Sequence, residues 1–511
     1  MKKIAGILFS KMVLGFLMIF LQFVWIIFLV YRATLWNSIL DAIFKIVGVI
    51  LAIRIANRDI KPYFKLSWIV LILFMPFLGC TCYFLFGRNE LTRGMRKRMG
   101  ETVSGLNKLL PENRLIQEDI MERDGYAYKQ SSYITNWAPY PPYYEEDSTY
   151  FPSGEELYPK LIEDLKNAKE FIFMEYFIIA PGKMLDSILD ILEEKAKEGL
   201  DVRLIYDDFG SLNYLPHKYY RILEKRGIKC VCFNPFRPIL SVIINNRDHR
   251  KICVIDGKVV YTGGINLADE YINEEVRFGY WKDTAIRLTG NAVWSFTTMF
   301  LGMWSYITRT KEDYLKFKKE TPVLEKQKDK GIVQPYGDSP LDKEDVGEIV
   351  YLNLISHAKK YVYIFTPYLI IGSEMQECLM NAAKSGVDVR IVVPGVPDKK
   401  IVYLLTESNF APLIKAGVKI YKYTPGFIHA KCFVVDDEYA TVGTVNLDYR
   451  SLYLHFECGT FMYHTSVIAA MKEDALDTFK HARLVSYEDT RERFFLGRVL
   501  LMILNLFAPL L

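Results

Sequence analysis

HRKICVIDGKVVYTGGIN, residues 249–266, returns as HAKCFVVDDEYATVGTVN at residues 429–446. The two stretches share a His-x-Lys-x4-Asp spacing, with His249, Lys251 and Asp256 in the first and His429, Lys431 and Asp436 in the second. Each ends ten residues past its aspartate on an asparagine, Asn266 or Asn446. A motif whose flanks repeat with it marks a duplicated unit. Each copy contains an apolar, β-branched run, ICVID or CFVVD, closed by a turn at Asp256-Gly257 or Asp436-Asp437, and reads as a strand. Residues two apart on a strand face the same way, so imidazole and ammonium are presented together.

Such a pair suits phosphoryl chemistry, because a histidine can attack phosphorus or move a proton while a fixed cation holds the anionic oxygens. Two copies supply two histidines. A phosphodiester exchange uses two: one as nucleophile, the other as acid for the leaving alcohol and base for the incoming one. The remaining histidines, His217, His357, His455, His464 and His481, stand in no repeated motif and read as hydrogen-bonded packing residues.

The surroundings of the motifs repeat as well. In the first half FIFMEYFII (171–179) reads as a strand, 183–198 as a helix and GLDVRLIY (199–206) as the next strand. The second half repeats that order with YVYIFTPYLI (361–370), 374–385 and GVDVRIV (386–392). Alternating strands and helices predict an α/β fold of largely parallel sheets covered by helices. Two such units packed about a pseudo-twofold axis would bring both motifs into one cleft. The units are expected at 151–309 and 344–490, joined by a charged linker at 310–343 and preceded by an irregular linker at 91–150.

The chain has 511 residues, 51% of them hydrophobic, and a mean hydropathy of +0.08 despite 24% charged residues. The apolar excess lies in residues 1–90, in runs at 12–31 and 66–86, each long enough for a hydrocarbon core of about 30 Å. A third run, 39–53, carries Asp41 and Lys45. A membrane anchor with two or three transmembrane helices is therefore expected. Basic residues flank the run 66–86 on both sides, and the heavier cluster (Arg88, Arg93, Arg96, Lys97, Arg98) follows it, which places the catalytic units in the cytoplasm. The tail, 491–511, ends in a sixteen-residue apolar stretch too short to span, and reads as a helix lying in the membrane interface. A net charge of +4 gives no basic field for nucleic acid. The eight cysteines include no C-x2-C pair and read as free thiols, with no structural metal site. Oligomeric state is not legible.

At the two motifs the chain resembles the phospholipase D superfamily, and the flanks resemble the bacterial cardiolipin synthases. The narrower likeness rests on NRDHRKI (246–252), GGIN (263–266), DEY (269–271), WKDT (281–284), HAK (429–431), NLDYRS (446–451), FEC (456–458), PFLG (76–79) and the terminal APLL. The resemblance implies a cofactor-free, metal-free transfer in which two phosphatidylglycerol molecules, drawn from the bilayer, become cardiolipin and glycerol. It implies His249 as nucleophile and His429 as general acid, then base. Lys251, Lys431, Asn266 and Asn446 would bind the phosphate oxygens. Asp283 and Glu457 follow the motifs at comparable distances and would orient the histidines, whereas Asp256 and Asp436, placed at turns, would hold loops together. Transfer to water, a hydrolytic phospholipase D reaction giving phosphatidic acid, would use the same residues and stays open at this point.

Overall fold

A computed structural model of the chain describes residues 20–28 without 22 and 26, 38–87, 93–235, 245–342 without 320, 322 and 324, 344–490, and 495–510. The chain divides into two units, one made of Met1–Arg93, Asn234–Asn246 and Arg493–Leu511, the other of Gly94–Phe233 and Arg247–Glu492.

The larger unit holds two sheets built on the repeat. One runs in the order Ser148–Phe151, Ala285–Thr289, Val259–Gly263, Lys251–Ile255, Phe171–Tyr176, Asp201–Asp207, Lys229–Phe233. The other runs Tyr143–Tyr144, Ile332–Asp338, His455–Tyr463, Tyr439–Gly443, Cys432–Val435, Tyr361–Phe365, Asp388–Pro394, Lys419–Tyr423, Ala482–Leu484. The duplication reaches single contacts. Gly199 and Gly386 lead out of helices Lys183–Lys197 and Ser373–Lys384 at φ +97° and +96°, a left-handed geometry glycine adopts without strain. Beyond them Asp201 pairs with Arg203 at 2.5 Å and Lys229 at 2.8 Å, as Asp388 pairs with Arg390 at 2.6 Å and Lys419 at 2.8 Å. In helix Lys183–Lys197 the apolar residues Met184, Leu185, Ile188, Leu189 and Leu192 recur at helical spacing and are all buried, while Glu194 and Lys197 face solvent. Burying each such leucine or isoleucine contributes about 1.5–3 kcal/mol, which fixes the helix on the sheet.

The sheets are mixed rather than largely parallel. Phe171–Tyr176, Asp201–Asp207 and Lys229–Phe233 are parallel, but the motif strand Lys251–Ile255 is antiparallel to Phe171–Tyr176 and to Val259–Gly263. The Asp256-Gly257 and Asp436-Asp437 turns are too short for a crossover, so the chain must return as a hairpin.

Among the described residues both expected linkers contribute elements to the fold. Residues 91–150 form helices Arg93–Asn107, Arg114–Arg123 and Gly125–Trp137 and edge strands Tyr143–Tyr144 and Ser148–Phe151. Within 310–343, Ile332–Asp338 pairs with Tyr143–Tyr144 on one side and His455–Tyr463 on the other. These strands carry proline, glycine and polar residues, and their partners lie far off in sequence, so no local pattern announces them. Helix Val293–Thr308, against the backs of Phe171–Tyr176 and Lys251–Ile255, is buried all round and therefore shows no amphipathic period.

In the smaller unit the run 39–53 lies within the 19-residue helix Ser38–Ala56. The run 66–86 is not one span: it breaks at Met75-Pro76 into Pro62–Phe74 and Pro76–Phe86. Proline has no N–H to continue a helix and its ring clashes with the carbonyl four residues back. At 13 and 11 residues these helices are about 20 and 17 Å long, short of a hydrocarbon core of about 30 Å. Among the described residues no helix is long and apolar enough to cross a membrane, so the multi-pass expectation finds no support there. The run 12–31 lies outside the described residues except for positions between 20 and 28. The helices pack on one another around Ile55, Trp68, Ile72 and Cys80, and leave Ile46, Ile50, Leu73, Phe74 and Phe84 exposed. The C-terminal helix Phe495–Phe507 joins them, with the Ser67 hydroxyl donating to the Leu506 carbonyl at 2.6 Å.

Candidate active site

Each motif histidine follows a short strand that pairs with the other half of the chain, and does not sit inside a single strand as its spacing suggested. Arg247–Asp248 pairs in parallel with His455 and Phe456 of the second half, and His249 N donates to Phe456 O at 2.9 Å. Two residues later the chain has joined its own sheet as Lys251–Ile255. In the same way Gly426–Ile428 pairs in parallel with Tyr280–Lys282 of the first half, and His429 N donates to Lys282 O at 2.7 Å before Cys432–Val435 returns home. The reach across decides the side-chain partners.

The carboxylates are therefore exchanged between halves. His249 Nδ1 lies 3.0 Å from Glu457, which follows the second motif, and His429 Nδ1 lies 2.7 Å from Asp283, which follows the first. All four side chains are buried. A carboxylate only accepts, so each Nδ1 carries the proton and each Nε2 keeps its lone pair. Glu457 is held by the Thr444 and Ser451 hydroxyls, both of which donate to it. Asp283 accepts from Thr284 N at 2.8 Å and stands where a side chain on Gly264 would be: a Cβ there would come 2.0 Å from its Oδ1.

Burial lowers the His249 pKa to about 3 and the His429 pKa to about 4, Glu457 and Asp283 opposing the shift and the motif lysines adding to it. Both rings are neutral at neutral pH, the form a nucleophile needs. Burial also lowers Lys431 to about 7 and Lys251 to about 8, with the nearby carboxylates opposing. Against the pull of burial, Lys431 and His429 hold Asp283 below the usual carboxylate range, and His249 does the same for Glu457. Lys251 and Lys431 each affect the other half's groups, which puts both motifs in one electrostatic site.

Lys251 Nζ donates to His249 O at 2.6 Å, and Lys431 Nζ donates to His429 O and lies 2.8 Å from His429 Nδ1. Asn266 is engaged at both ends of its amide, accepting from Ile178 N at 2.9 Å and donating to Tyr271 OH at 2.7 Å. Asn446 differs: its buried Oδ1 has no hydrogen-bond partner. Asp256 and Asp436 do not join the histidines. Asp256 accepts the backbone N–H groups of Lys169, Glu170 and Phe171 at 2.7–3.0 Å, and Asp436 those of Lys359, Lys360 and Tyr361 at 2.6–2.8 Å.

Sequence reasoning missed Thr444, Ser451 and Tyr271, which support site residues, and His455, whose ring centroid is 5.6 Å from that of His249. Thr444 and Ser451 lie within or beside the quoted motifs, but a hydroxyl there has no periodic signature. Also unforeseen is a buried network beside the first motif strand, in which Arg250 meets Asp248 at 3.0 Å and Glu175 at 2.5 Å.

Fold and site together define a duplicated, two-histidine phosphoryl-transfer enzyme. A family model described as "Cardiolipin synthase, PLD-like domain" matches residues 161–278 and 351–477, and one described as "Phospholipase_D-nuclease N-terminal" matches 46–88. A cardiolipin synthase of Alkalihalophilus pseudofirmus is 33% identical over 92% of this chain and 94% of its own length. An uncharacterized protein of Streptococcus mutans is 44% identical over 89% of this chain and 98% of its own. Among solved structures, the phosphatidylserine synthase of Haemophilus influenzae shares the fold at a TM-score of 0.57 and 17% identity, covering 75% of this chain and 97% of that one. The chain belongs to the cardiolipin synthase family, a branch of the phospholipase D superfamily.

Proposed function

We propose that this chain transfers a phosphatidyl group from one phosphatidylglycerol to the free glycerol hydroxyl of a second, giving cardiolipin and glycerol, through a phosphohistidine. The observation that carries the reading is the crossed pair of dyads, His249 with Glu457 and His429 with Asp283. Nε2 of neutral His249 attacks phosphorus and the bond to the glycerol oxygen breaks. The leaving oxygen takes its proton from His429, protonated once the anionic substrate arrives. His429 then removes a proton from the incoming hydroxyl, whose oxygen attacks phosphorus and frees His249. Lys251 and Lys431, with the side-chain NH2 groups of Asn446 and Asn266, hold the non-bridging oxygens, and the unpartnered Oδ1 of Asn446 stands ready to accept from a glycerol hydroxyl of the substrate.

Membrane attachment belongs to the same reading. The apolar side chains Ile46, Ile50, Leu73, Phe74 and Phe84 are exposed on the smaller unit, a surface that suits lipid better than water. The apolar N-terminal segment then holds the chain at the cell membrane, with the catalytic units on the cytoplasmic side. The test is incubation of solubilised protein with phosphatidylglycerol and a chelator, with products read by mass. Cardiolipin and glycerol in equal amounts are expected; phosphatidic acid instead would mean that water is the acceptor.

A further inference from the structure

His455 has a side chain only 11% exposed, yet neither Nδ1 nor Nε2 has a hydrogen-bond partner. A buried polar group without a partner calls for an explanation, an ion among them. Its Nδ1 lies 3.6 Å from Glu457 Oε1, beyond hydrogen-bond reach, while His249 Nδ1 approaches the same carboxylate at 3.0 Å. Ligand atoms from His249, His455 and Glu457 all fall within 4.8 Å of one another. Ligands held about 2.0–2.1 Å from a tetrahedral zinc ion stand about 3.4 Å apart, between the 3.0 and 3.6 Å at which the two imidazoles approach Glu457. Two imidazoles and one carboxylate form a donor set zinc takes, whereas magnesium prefers oxygen. The hydroxyls of Thr444 and Ser451 already fix the carboxylate, as hydrogen-bonded neighbours orient ligands in metal sites.

We propose that His249, Glu457 and His455 form a zinc-binding site that shuts the enzyme off reversibly. Zinc takes the lone pair of His249 Nδ1, whose proton moves to Nε2. The nitrogen that attacks phosphorus then has no lone pair to offer. The shut-off rests on the phosphohistidine reading above; the binding site does not.

The experiment has two arms on the solubilised full chain. In the first, zinc is titrated against a chromogenic chelator without lipid. One zinc per chain is expected, with affinity falling more than about a hundredfold in His455→Gln, beyond the loss caused by a residue that merely orients a ligand. His455→Cys, which offers a thiolate, should restore binding, and melting curves report whether each variant is folded. No zinc uptake by the wild type, or a smaller loss in folded His455→Gln, overturns the site. In the second arm cardiolipin formation from phosphatidylglycerol micelles is followed. Zinc should stop the wild type, a chelator should release it, magnesium should have no effect, and His455→Gln should keep its own zinc-free rate. Zinc that binds without slowing transfer overturns the shut-off. A zinc-free wild type that makes no cardiolipin speaks against the proposed function and leaves the binding arm readable.

Discussion

The two halves solve the same orienting problem with different parts. In the first, Gly264 leaves a gap that the short Asp283 fills on its way to His429. In the second, the equivalent position is Thr444, and its hydroxyl helps hold the longer Glu457 against His249. The pair Gly with Asp and the pair Thr with Glu are alternatives, one using space and the other a hydrogen bond. Neither half completes its own histidine, so duplication here produced two halves of a site and not two sites. Burial shifts both rings to the acid side, His249 and His429 alike.

The largest effects test the sharing itself. His249→Ala and His429→Ala should each cut cardiolipin formation by roughly 10^4-fold or more, and the double variant should be little worse than either, as for residues acting as a unit. Additive losses in a radiolabel transfer assay would break the comparison by making the halves independent. Next come the carboxylates. Glu457→Gln and Asp283→Asn should each cost on the order of a thousandfold in kcat, since a carboxylate fixes the imidazole tautomer. Gly264→Ala should approach the Asp283→Asn loss, because its new Cβ collides with that carboxylate. Thr444→Val removes one hydrogen bond from Glu457 and should cost only about tenfold. Equal losses at Gly264 and Thr444 would show that space and hydrogen bond are not alternatives.

The lysines sharpen the comparison through pH. Lys431, lowered to about 7 by burial, loses its charge as pH rises through that value in the free enzyme. The kcat/KM profile should therefore fall on the alkaline side near neutrality, while kcat, measured with the anionic phosphate bound, falls at higher pH. Lys431→Arg should remove that limb and lose roughly a hundredfold in rate, because a planar fork does not replace a compact ammonium. A profile unchanged in this variant would take Lys431 out of the site. The smallest effect on chemistry belongs to the motif aspartates. Asp256→Asn and Asp436→Asn each weaken three backbone hydrogen bonds and should lower stability by about 2 kcal/mol, alike in both halves, seen as a lower Tm with little change in kcat per folded molecule.

Much of this was legible in one sequence. The repeated His-x-Lys-x4-Asp spacing, its asparagines and the repeated helix-to-strand passages at Gly199 and Gly386 identify a duplicated α/β unit and single out its candidate site residues, because spacing along a strand and turn chemistry are local properties. Asp283 and Glu457 were legible as orienting carboxylates but not as exchanged ones. Which carboxylate meets which histidine depends on Arg247–Asp248 and Gly426–Ile428 pairing with strands of the opposite half, and no local pattern records that. The same reason hid the edge strands Tyr143–Tyr144 and Ile332–Asp338, whose partners are distant in the chain. It also hid His455, an ordinary histidine by its neighbours in sequence that comes within 3.6 Å of Glu457 only in space. Pro76 stood in plain view within the run 66–86, yet hydropathy alone carried the run through it; backbone geometry stopped it. Local chemistry thus named the candidate groups, and only tertiary pairing decided that each half completes the other.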